Sequence, residues 1–496
     1  MKLGVWLAPA LALSLSAASL PESIDRLIAA SPAARAAFWG IQIVDLASGK
    51  TLYQRNPDSF FIPASNAKLF TTALALTRLG PDFTFQTRVL AAQPPDADGR
   101  IPGDLRLAGG GDPNLSARAI PYRPGPVTGN PLGPLEELAG QVVARGVKRI
   151  DGDIVGDDTW YLWEPYAAGW AIDDPLSDDG PPVSALTIND NTFTLGIHPG
   201  DAVGQMAALA LKPPVEFYRL DNRIRTVAAG AGRRLHFERA PGSLDARLWG
   251  TIPLRDHGED MLLSIEDPAL YAAMALRELL EQRGVAISGA AVARHRYPQD
   301  DAELTEAPAP DPPDEGIELA QLRSAPLLED LRITDKVSQN LHAELALRAV
   351  ARARRNIGSF EAGWEELKTF LGEAGIHPGA YSLVDGSGLS RLNLVTPAAV
   401  VKLLRYMFHS SARVNWISLL PVGGVDGTLG TRFTGTAAAG RIHAKTGSLA
   451  HVSALSGYLE RPDGRWVAFS VLVNNFNAPN AEVRAVMDRI CTLIME

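Results

Sequence analysis

Hydrophobic and polar positions alternate near both ends of the chain in a way that predicts β-strands flanked by helices. Residues 38–55 alternate over two short stretches joined by a polar turn, which predicts a hairpin. Residues 451–459 and 466–474 predict a second hairpin. The final stretch places four apolar side chains on one helix face, namely Val483, Met487, Ile490 and Ile494. With few basic residues, that helix is expected to pack on a sheet rather than lie on a membrane surface.

The middle of the chain has a different texture. Ser65 begins a helical run that continues to about Leu79 and is closed by a Gly-Pro pair. Short strand patterns, glycine turns and proline-rich loops then follow, up to an extended linker at Ala307 to Gly316. Residues 318–376 return to helical periodicity. We therefore expect one α/β domain built from both ends of the chain, with a large, mostly β insertion between them.

Length and charge narrow the class of protein. A chain of 496 residues is too long for one ordinary hydrophobic core, so several domains are expected. Apolar residues make up 46% and charged residues 21%, which is typical of a soluble globular protein. The net charge of −9 gives no indication of a nucleic acid partner or an anionic membrane partner.

The N-terminus has the pattern of a secretory signal peptide. Lys2 precedes an apolar run from Leu3 to Leu15, and the small residues Ser16-Ala17-Ala18 follow. The alternative is a buried N-terminal helix, because the run is too short to span a membrane. We expect residues 1–18 to be removed and no transmembrane segment in the mature chain. The protein is then secreted across the inner membrane into the periplasm or cell envelope.

Disulfide and metal chemistry are not indicated. The single cysteine, Cys491, cannot form an internal bridge, and its apolar neighbours predict a buried structural thiol. Nine histidines are scattered without the spacing of a metal site. The sequence therefore predicts neither a metal nor a cofactor.

The first candidate catalytic motif is Ser65-Asn66-Ala67-Lys68. At the start of a helix, residues three apart lie on one face, so the hydroxyl of Ser65 can meet the amine of Lys68. A desolvated lysine near other cations loses its proton readily and can act as general base to a serine nucleophile. The alternative is a serine N-cap with an exposed lysine one turn later.

A second motif is Ser338-Gln339-Asn340, in the break between two helical patterns. A hydroxyl beside the lysine can relay a proton towards a leaving group, and the Asn340 amide can bond both the lysine and a substrate carbonyl. Taken alone, this motif is also an ordinary polar start of a helix.

The third motif is Lys445-Thr446-Gly447-Ser448, at the end of a strand pattern. A strand edge here can pair with an extended peptide, and Gly447 allows the substrate backbone to approach. Lys445 supplies positive charge, while the hydroxyls of Thr446 and Ser448 can hold a carboxylate. The backbone N–H groups of Ser448 and Ser65 are expected to form an oxyanion hole.

Together, S-x-x-K, S-x-N and K-T-G in this order resemble the signature of penicillin-binding proteins and serine β-lactamases. The interval of 270 positions from Lys68 to Ser338 is several times what the compact β-lactamases need. Four further stretches resemble the D-alanyl-D-alanine carboxypeptidases/endopeptidases of the penicillin-binding protein 4 (DacB) type: residues 107–113, 182–191, 385–391 and 425–429. Gln339 departs from the Asp or Asn of many relatives, at a position that points away from the chemistry in that family.

This resemblance implies a transpeptidase-like catalytic domain split in sequence, with two further domains nested in the insertion. The expected boundaries are 19–88 plus 316–496 for the catalytic domain, 89–182 plus 251–315 for the inserted domain, and 183–250 for the nested domain. The implied substrates are peptidoglycan peptides ending in D-Ala, including crosslinks. β-Lactam antibiotics are implied as covalent inhibitors.

Two rival functions remain open from the sequence. A β-lactamase or esterase on the same catalytic domain predicts rapid antibiotic turnover. A non-catalytic wall-binding protein predicts no covalent adduct, and the three intact motifs argue against it. Gly386 and Gly388, near the third motif, are interpreted as turn positions that need a positive φ.

Overall fold

The two ends of the chain meet in one antiparallel sheet. The computed structural model describes residues 19–305 and 316–496, so the predicted signal peptide and nearly all of the predicted linker lie outside the described residues. The strand order is β19-β20-β21-β1-β2, which confirms the expected α/β domain built from both ends. Its strands are β1 Phe38–Asp45, β2 Thr51–Arg55, β19 Ile442–Leu449, β20 Val452–Glu460 and β21 Trp466–Asn474.

Helices cover both faces of this sheet because its strands are apolar on both sides. Leu455 and Leu459 of β20 pack with the terminal helices, while Ala454 and Tyr458 pack with the helices of the active-site side. The first layer contains α1 Leu20–Ala30, α2 Pro32–Arg35 and α11 Asn480–Met495. The second contains α3 Lys68–Leu79, α6 Leu327–Lys336, α7 Asn340–Arg355, α8 Phe360–Glu373, α9 Pro397–His409 and α10 Arg413–Leu419.

Cys491 lies in the terminal helix, as predicted. Its thiol is buried among apolar side chains. Burial raises the pKa of this thiol, so Cys491 is an unreactive part of the core.

The insertion has its own five-stranded mixed sheet, in the order β15-β7-β5-β3-β16. One face packs on two helices, α4 Gly133–Ala144 and α5 Pro268–Gln282. The opposite face forms one wall of a cleft, and α7 contributes to the other wall. The strands are β3 Gln86–Ala91, β5 Leu105–Ala108, β7 Ile154–Leu162, β15 Ala291–Arg296 and β16 Ile317–Arg323.

The pairing of β3 with β16 bears on the predicted divisions of the chain. Both strands belong to the sheet of the insertion, so the helical periodicity expected from residue 318 is wrong over β16. The expected boundaries at residues 88 and 316 stay predictions. The boundary at residue 88 falls inside β3, because this strand continues past the position where the helical sequence pattern ends.

The remaining strands form small sheets. They are β4 Arg100–Ile101, β6 Arg149–Ile150 and β14 Ala286–Ile287; β8 Thr192–His198, β9 Ala208–Lys212 and β13 Glu259–Ser264; β10 Arg219–Val227, β11 Arg234–Arg239 and β12 Asp245–Pro253; and β17 Tyr381–Ser382 with β18 Leu394–Val395. The last pair brackets the loop 383–393, which reaches the active site. None of the helices within residues 19–305 and 316–496 combines the length and the hydropathy of a membrane-spanning segment.

Candidate active site

Ser65 lies in a short 3₁₀ turn, Ala64–Ala67, which runs directly into α3. The turn brings Ser65 and Lys68 to the same side, and Lys68 Nζ lies 2.9 Å from Ser65 Oγ. The Asn66 amide donates to the carbonyl oxygen of Lys445 at 3.0 Å, which fixes the turn against β19. The contact predicted within the first motif is therefore present.

Lys68 is completely buried and has three oxygen partners. Besides Ser65 Oγ, Lys68 Nζ contacts Asn340 Oδ1 at 2.5 Å and the carbonyl oxygen of Ser387 at 2.8 Å. Burial, and next the positive charge of Lys445, hold the pKa of Lys68 well below its usual range. A neutral amine at this position can accept the Ser65 proton.

The second motif adopts an unusual backbone at the helix junction. Ser338 has φ +67° between α6 and α7, and its hydroxyl accepts a hydrogen bond from Lys445 Nζ at 2.8 Å. Asn340 is the first residue of α7, and its Nδ2 donates to the carbonyl oxygen of Asp179 in the insertion. Gln339 caps α7 by accepting from the backbone N–H of Leu341, and its Nε2 donates to Asp190.

The third motif lies on β19, the edge strand of the sheet. Burial lowers the pKa of Lys445 to about 8. Thr446 Oγ1 donates to Thr428 Oγ1 at 2.8 Å, which connects this strand to a loop that the sequence also singled out. A Cβ at Gly447 would lie 2.7 Å from the carbonyl oxygen of Pro63 and 3.1 Å from the Ser65 backbone nitrogen, so glycine allows β19 to approach the turn that holds Ser65. Ser448 follows on the exposed part of the strand.

Two further buried carboxylates influence the charge state of Lys68, and neither was identified from the sequence. Burial raises the pKa of Asp335, on α6, which accepts a hydrogen bond from Thr72 of α3. Burial, followed by the charge of Asp385, raises the pKa of Glu344 to about 7. Both carboxylates favour the charged form of Lys68, so they raise its pKa and oppose the effect of burial.

The loop that supplies the Ser387 carbonyl is organised around Asp385. This carboxylate accepts the backbone N–H groups of Gly388 and Ser390, each at 2.7 Å, and the Asn393 amide at 2.7 Å. Its fourth donor is Trp170 Nε1 of the insertion, at 3.0 Å. The insertion thus contacts the catalytic machinery directly.

Gly388 is a position where the chain needs glycine. Its φ is +86°, and a Cβ there would lie 1.9 Å from the carbonyl oxygen of Ala64. The positive φ predicted from the sequence is confirmed for Gly388 and is wrong for Gly386, whose φ is not positive. Gly388 also allows the loop to pack against the residue before the nucleophile. No group of metal-ligating side chains was found among residues 19–305 and 316–496.

A serine hydroxyl lies beside a buried lysine of lowered pKa, and a second serine, between α6 and α7, is bonded to a lysine on the edge strand β19. This arrangement defines a serine acyl-transfer enzyme. Comparison with known proteins then gives the family. The chain belongs to the D-Ala-D-Ala carboxypeptidase 3 (S13) family, whose sequence profile matches residues 20–494. It is a serine-type carboxypeptidase of that family.

Individual relatives agree with this assignment. A D-alanyl-D-alanine carboxypeptidase of Actinomadura sp. is 35% identical over 487 residues, covering 96% of this chain and 84% of that protein. The carboxypeptidase DacB of Haemophilus influenzae is 26% identical over 432 residues, covering 86% and 83%. The crystal structure of penicillin binding protein 4 (dacB) from Haemophilus influenzae shares the fold, with a TM-score of 0.79 at 24% identity and coverage of 95% and 98%.

Proposed function

We propose that the protein hydrolyses the D-alanyl bond at the ends and crosslinks of peptidoglycan stem peptides through an acyl-enzyme on Ser65. The observation that carries this proposal is the 2.9 Å contact between Ser65 Oγ and the buried amine of Lys68. The family and its D-Ala-specific members supply the substrate class.

The partners of Lys68 support its role as general base. Carbonyl oxygens can only accept hydrogen bonds, so the Asn340 and Ser387 oxygens take the two protons of a neutral amine. The lone pair is then directed at the third partner, the Ser65 hydroxyl. Lys68 accepts the Ser65 proton as Oγ attacks the D-Ala carbonyl carbon, a contribution typically worth ~10²–10⁴ in rate.

Collapse of the tetrahedral intermediate requires a proton on the leaving D-amino nitrogen. Ser338 is suited to deliver it, because its oxygen is held by Lys445 while its own proton remains available. The proton taken by Lys68 reaches the leaving nitrogen through this hydroxyl, which leaves Lys68 neutral again. A water molecule then attacks the ester and releases the shortened peptide and Ser65.

Substrate binding uses the part of the β19 edge that carries Thr446 and Ser448, beyond the bridge between His443 and Val422. An extended peptide can add to this edge as a further strand. The positive charge of Lys445 and the hydroxyls of Thr446 and Ser448 hold the terminal carboxylate, and the backbone N–H groups of Ser65 and Ser448 hold the oxyanion. The proximity of Gly447 to the Ser65 nitrogen supports this arrangement.

The same site is proposed to bind β-lactams covalently. The penicillin binding protein 4 of Haemophilus influenzae has been crystallised with a novel β-lactam. We also propose residues 1–18 as a signal peptide and the periplasm or cell envelope as the location, since a wall substrate lies outside the cytoplasmic membrane.

Intact-mass measurement with penicillin tests the mechanism. A single, persistent mass addition is expected in the parent protein and none in Ser65→Ala, while D-Ala-D-Ala peptides turn over repeatedly. Lys68→Ala is expected to fold normally but acylate ~10²–10⁴ times more slowly. Rapid penicillin hydrolysis with an intact D-Ala peptide would show a β-lactamase instead.

A further inference from the structure

Two stretches of the insertion that resemble the penicillin-binding protein 4 type have no part in the proposed reaction. They are residues 107–113 and 182–191, and neither supplies one of the proposed catalytic side chains. Both lead to the same side chain of the catalytic domain, His342 on α7. Asp190 lies against its imidazole, and Asp112 lies within range of its charge. Because His342 is completely buried, its ring nitrogens need partners inside the protein.

His342 lies between two carboxylates. Its Nε2 is 3.1 Å from Asp190 Oδ1, and its Nδ1 is 2.7 Å from Asp330 Oδ1. An ionised carboxylate only accepts hydrogen bonds, and a neutral imidazole donates through only one nitrogen, so the doubly protonated ring suits both partners. Burial disfavours this charged form, but the two aspartates outweigh burial and raise the pKa of His342 to about 9. His342 is therefore a cation at neutral pH.

The two aspartates are themselves held by the insertion. Arg118 Nε donates to Asp190 Oδ2 at 3.0 Å, and Asn114 Nδ2 donates to Asp330 Oδ1 at 3.2 Å. Asp330 belongs to α6, so the network around His342 joins the insertion to both α6 and α7. In a buried network of this kind, removing one charge leaves its partners uncompensated. The placement of the two helices therefore depends on the imidazolium.

The backbone around Asp190 holds this carboxylate in place. Asn189, Asp190 and Asn191 have φ values of +50°, +57° and +54°. Residues other than glycine adopt this left-handed region rarely, and they keep it only where the surroundings support it. The Asn191 side chain gives that support, since it accepts from the Ile188 N–H at 3.1 Å and donates to the Pro182 carbonyl oxygen at 2.8 Å. The stretch is therefore a braced turn whose aspartate reaches α7.

The network lies at the junction that carries the second motif. Ser338 lies in the short connection between α6 and α7 with a φ of +67°, so its position depends on both helices being held. Asp330 holds α6, and His342 holds the first turn of α7. Gln339 Nε2 adds a direct bond to Asp190 Oδ2 at 3.2 Å. A shift of either helix would move the hydroxyl and the amide oxygen of this motif away from the two active-site lysines.

We propose that His342, bound between Asp190 and Asp330, is a positioning residue for Ser338 and Asn340. It keeps the second motif at the two lysines, and it makes that placement depend on the insertion. His342 acts through these neighbours and takes no part in proton transfer. The proposal rests on the proposed function, because it assigns His342 an effect on the acylation step.

The test is the acylation of Ser65 by a fluorescent penicillin in His342→Gln, followed over a range of penicillin concentrations. The variant loses the charge but keeps a side chain that can form hydrogen bonds. The acylation rate at saturation is expected to fall about tenfold, since a hydrogen-bonded charge that orders the site is lost. The half-saturating concentration should change little, because the groups proposed to hold the carboxylate of the antibiotic lie on β19. A purely structural role would lower the melting temperature and leave this rate unchanged.

His295→Gln is the matched control, because His295 also lies between two aspartates. It is 2.9 Å from Asp158 and 3.3 Å from Asp267, on strand β15 of the insertion. Burial disfavours its charged form, but the two aspartates outweigh burial and raise the pKa of His295 to about 9. The control is expected to melt at a lower temperature and to acylate at the parental rate.

Three results would overturn the proposal: a parental saturating rate in His342→Gln, an equal loss of rate in the control, or a change confined to the half-saturating concentration. If His342→Gln does not fold, Asp190→Asn takes its place with the same expected loss. Failure of both variants to fold would assign His342 to folding alone and would also overturn the proposal. Absence of acylation in the parent would instead count against the proposed function.

Discussion

A hydrogen bond connects the insertion to the loop 383–393, and it can be removed with little change in shape. Trp170 Nε1 donates to Asp385 Oδ2 at 3.0 Å, while the indole packs beside Leu341 and Leu345. Trp170→Phe removes the donor and keeps an aromatic ring in this packing. The affected loop supplies the Ser387 carbonyl that accepts from Lys68.

The size of the effect follows from the partners of Asp385. A hydrogen bond to a charged group contributes about 1.5–3 kcal/mol. The low end applies, because Asp385 keeps three other donors and the half-buried Trp170 site can admit water. If losing this hydrogen bond disturbs the position of Lys68 so that the activation free energy of acylation rises by the whole of about 1.5 kcal/mol, acylation slows about tenfold.

The assay is the rate of Ser65 acylation by a fluorescent penicillin, measured beside the thermal melting temperature. Trp249→Phe, in β12, is the control, since this tryptophan stacks on His236 in a different sheet. Slower acylation in Trp170→Phe alone is expected. Parental acylation by Trp170→Phe would refute the argument that the insertion helps to position the base, even if the melting temperature fell.

The remaining predictions concern titration and backbone fit. The pH profile of peptide hydrolysis should be bell-shaped, rising as Lys68 loses its proton and falling above about pH 8 as Lys445 does, seen as a rise in KM. Asp335→Asn should move both limbs of the profile to lower pH, because this carboxylate favours the charged form of both lysines. Limbs that stay in place, or that move apart, would contradict this. Gly388→Ala should abolish acylation or folding, because its Cβ would clash with backbone. Gly464→Ala, at φ +79° with no atom within 4 Å, should cost only about 1 kcal/mol in denaturant melts, and equal losses in the two variants would contradict the clash.

The contacts within the active site were predictable where residue type and spacing carry the chemistry. Ser65 and Lys68 are three positions apart at a helix start, so local geometry alone brings them together. Ser338, Asn340 and Lys445 were recognisable as members of a known set of motifs. Their roles in the reaction remain proposals, although the structure brings all five side chains together.

Other members of the site gave no such signal. Ser387 contributes a backbone carbonyl, which any residue type supplies. Asp179 likewise acts through its carbonyl oxygen, and its contact with Asn340 spans 161 positions of sequence. Glu344 offered a weak indication, since a carboxylate flanked by Ala343 and Leu345 on a buried helix face needs partners inside the protein.

The division of the chain was harder to predict than the motifs. The sequence pattern changes near the expected boundaries at residues 88 and 316. Strand pairing is decided by distant partners, however, and β3 pairs with β16 across more than two hundred positions. The contacts of Trp170 and Asp179 further show that the insertion completes the active site. We therefore expect the chain ends to need the insertion for full activity.

Two lysines in one buried site serve opposite purposes, and their surroundings explain how. Lys68 is affected by burial and also by the charge of Lys445, whereas burial is the main influence on Lys445 and Asp335 opposes it. Lys68 therefore loses its proton first, which suits its proposed role as the base, while Lys445 stays charged near neutral pH, which suits its proposed role in holding a carboxylate. The charges of Asp385, Asp335 and Glu344 limit how far the pKa of Lys68 falls. This matters because a base that is too weak would not take the serine proton. Identical side chains thus acquire different roles from the charges around them.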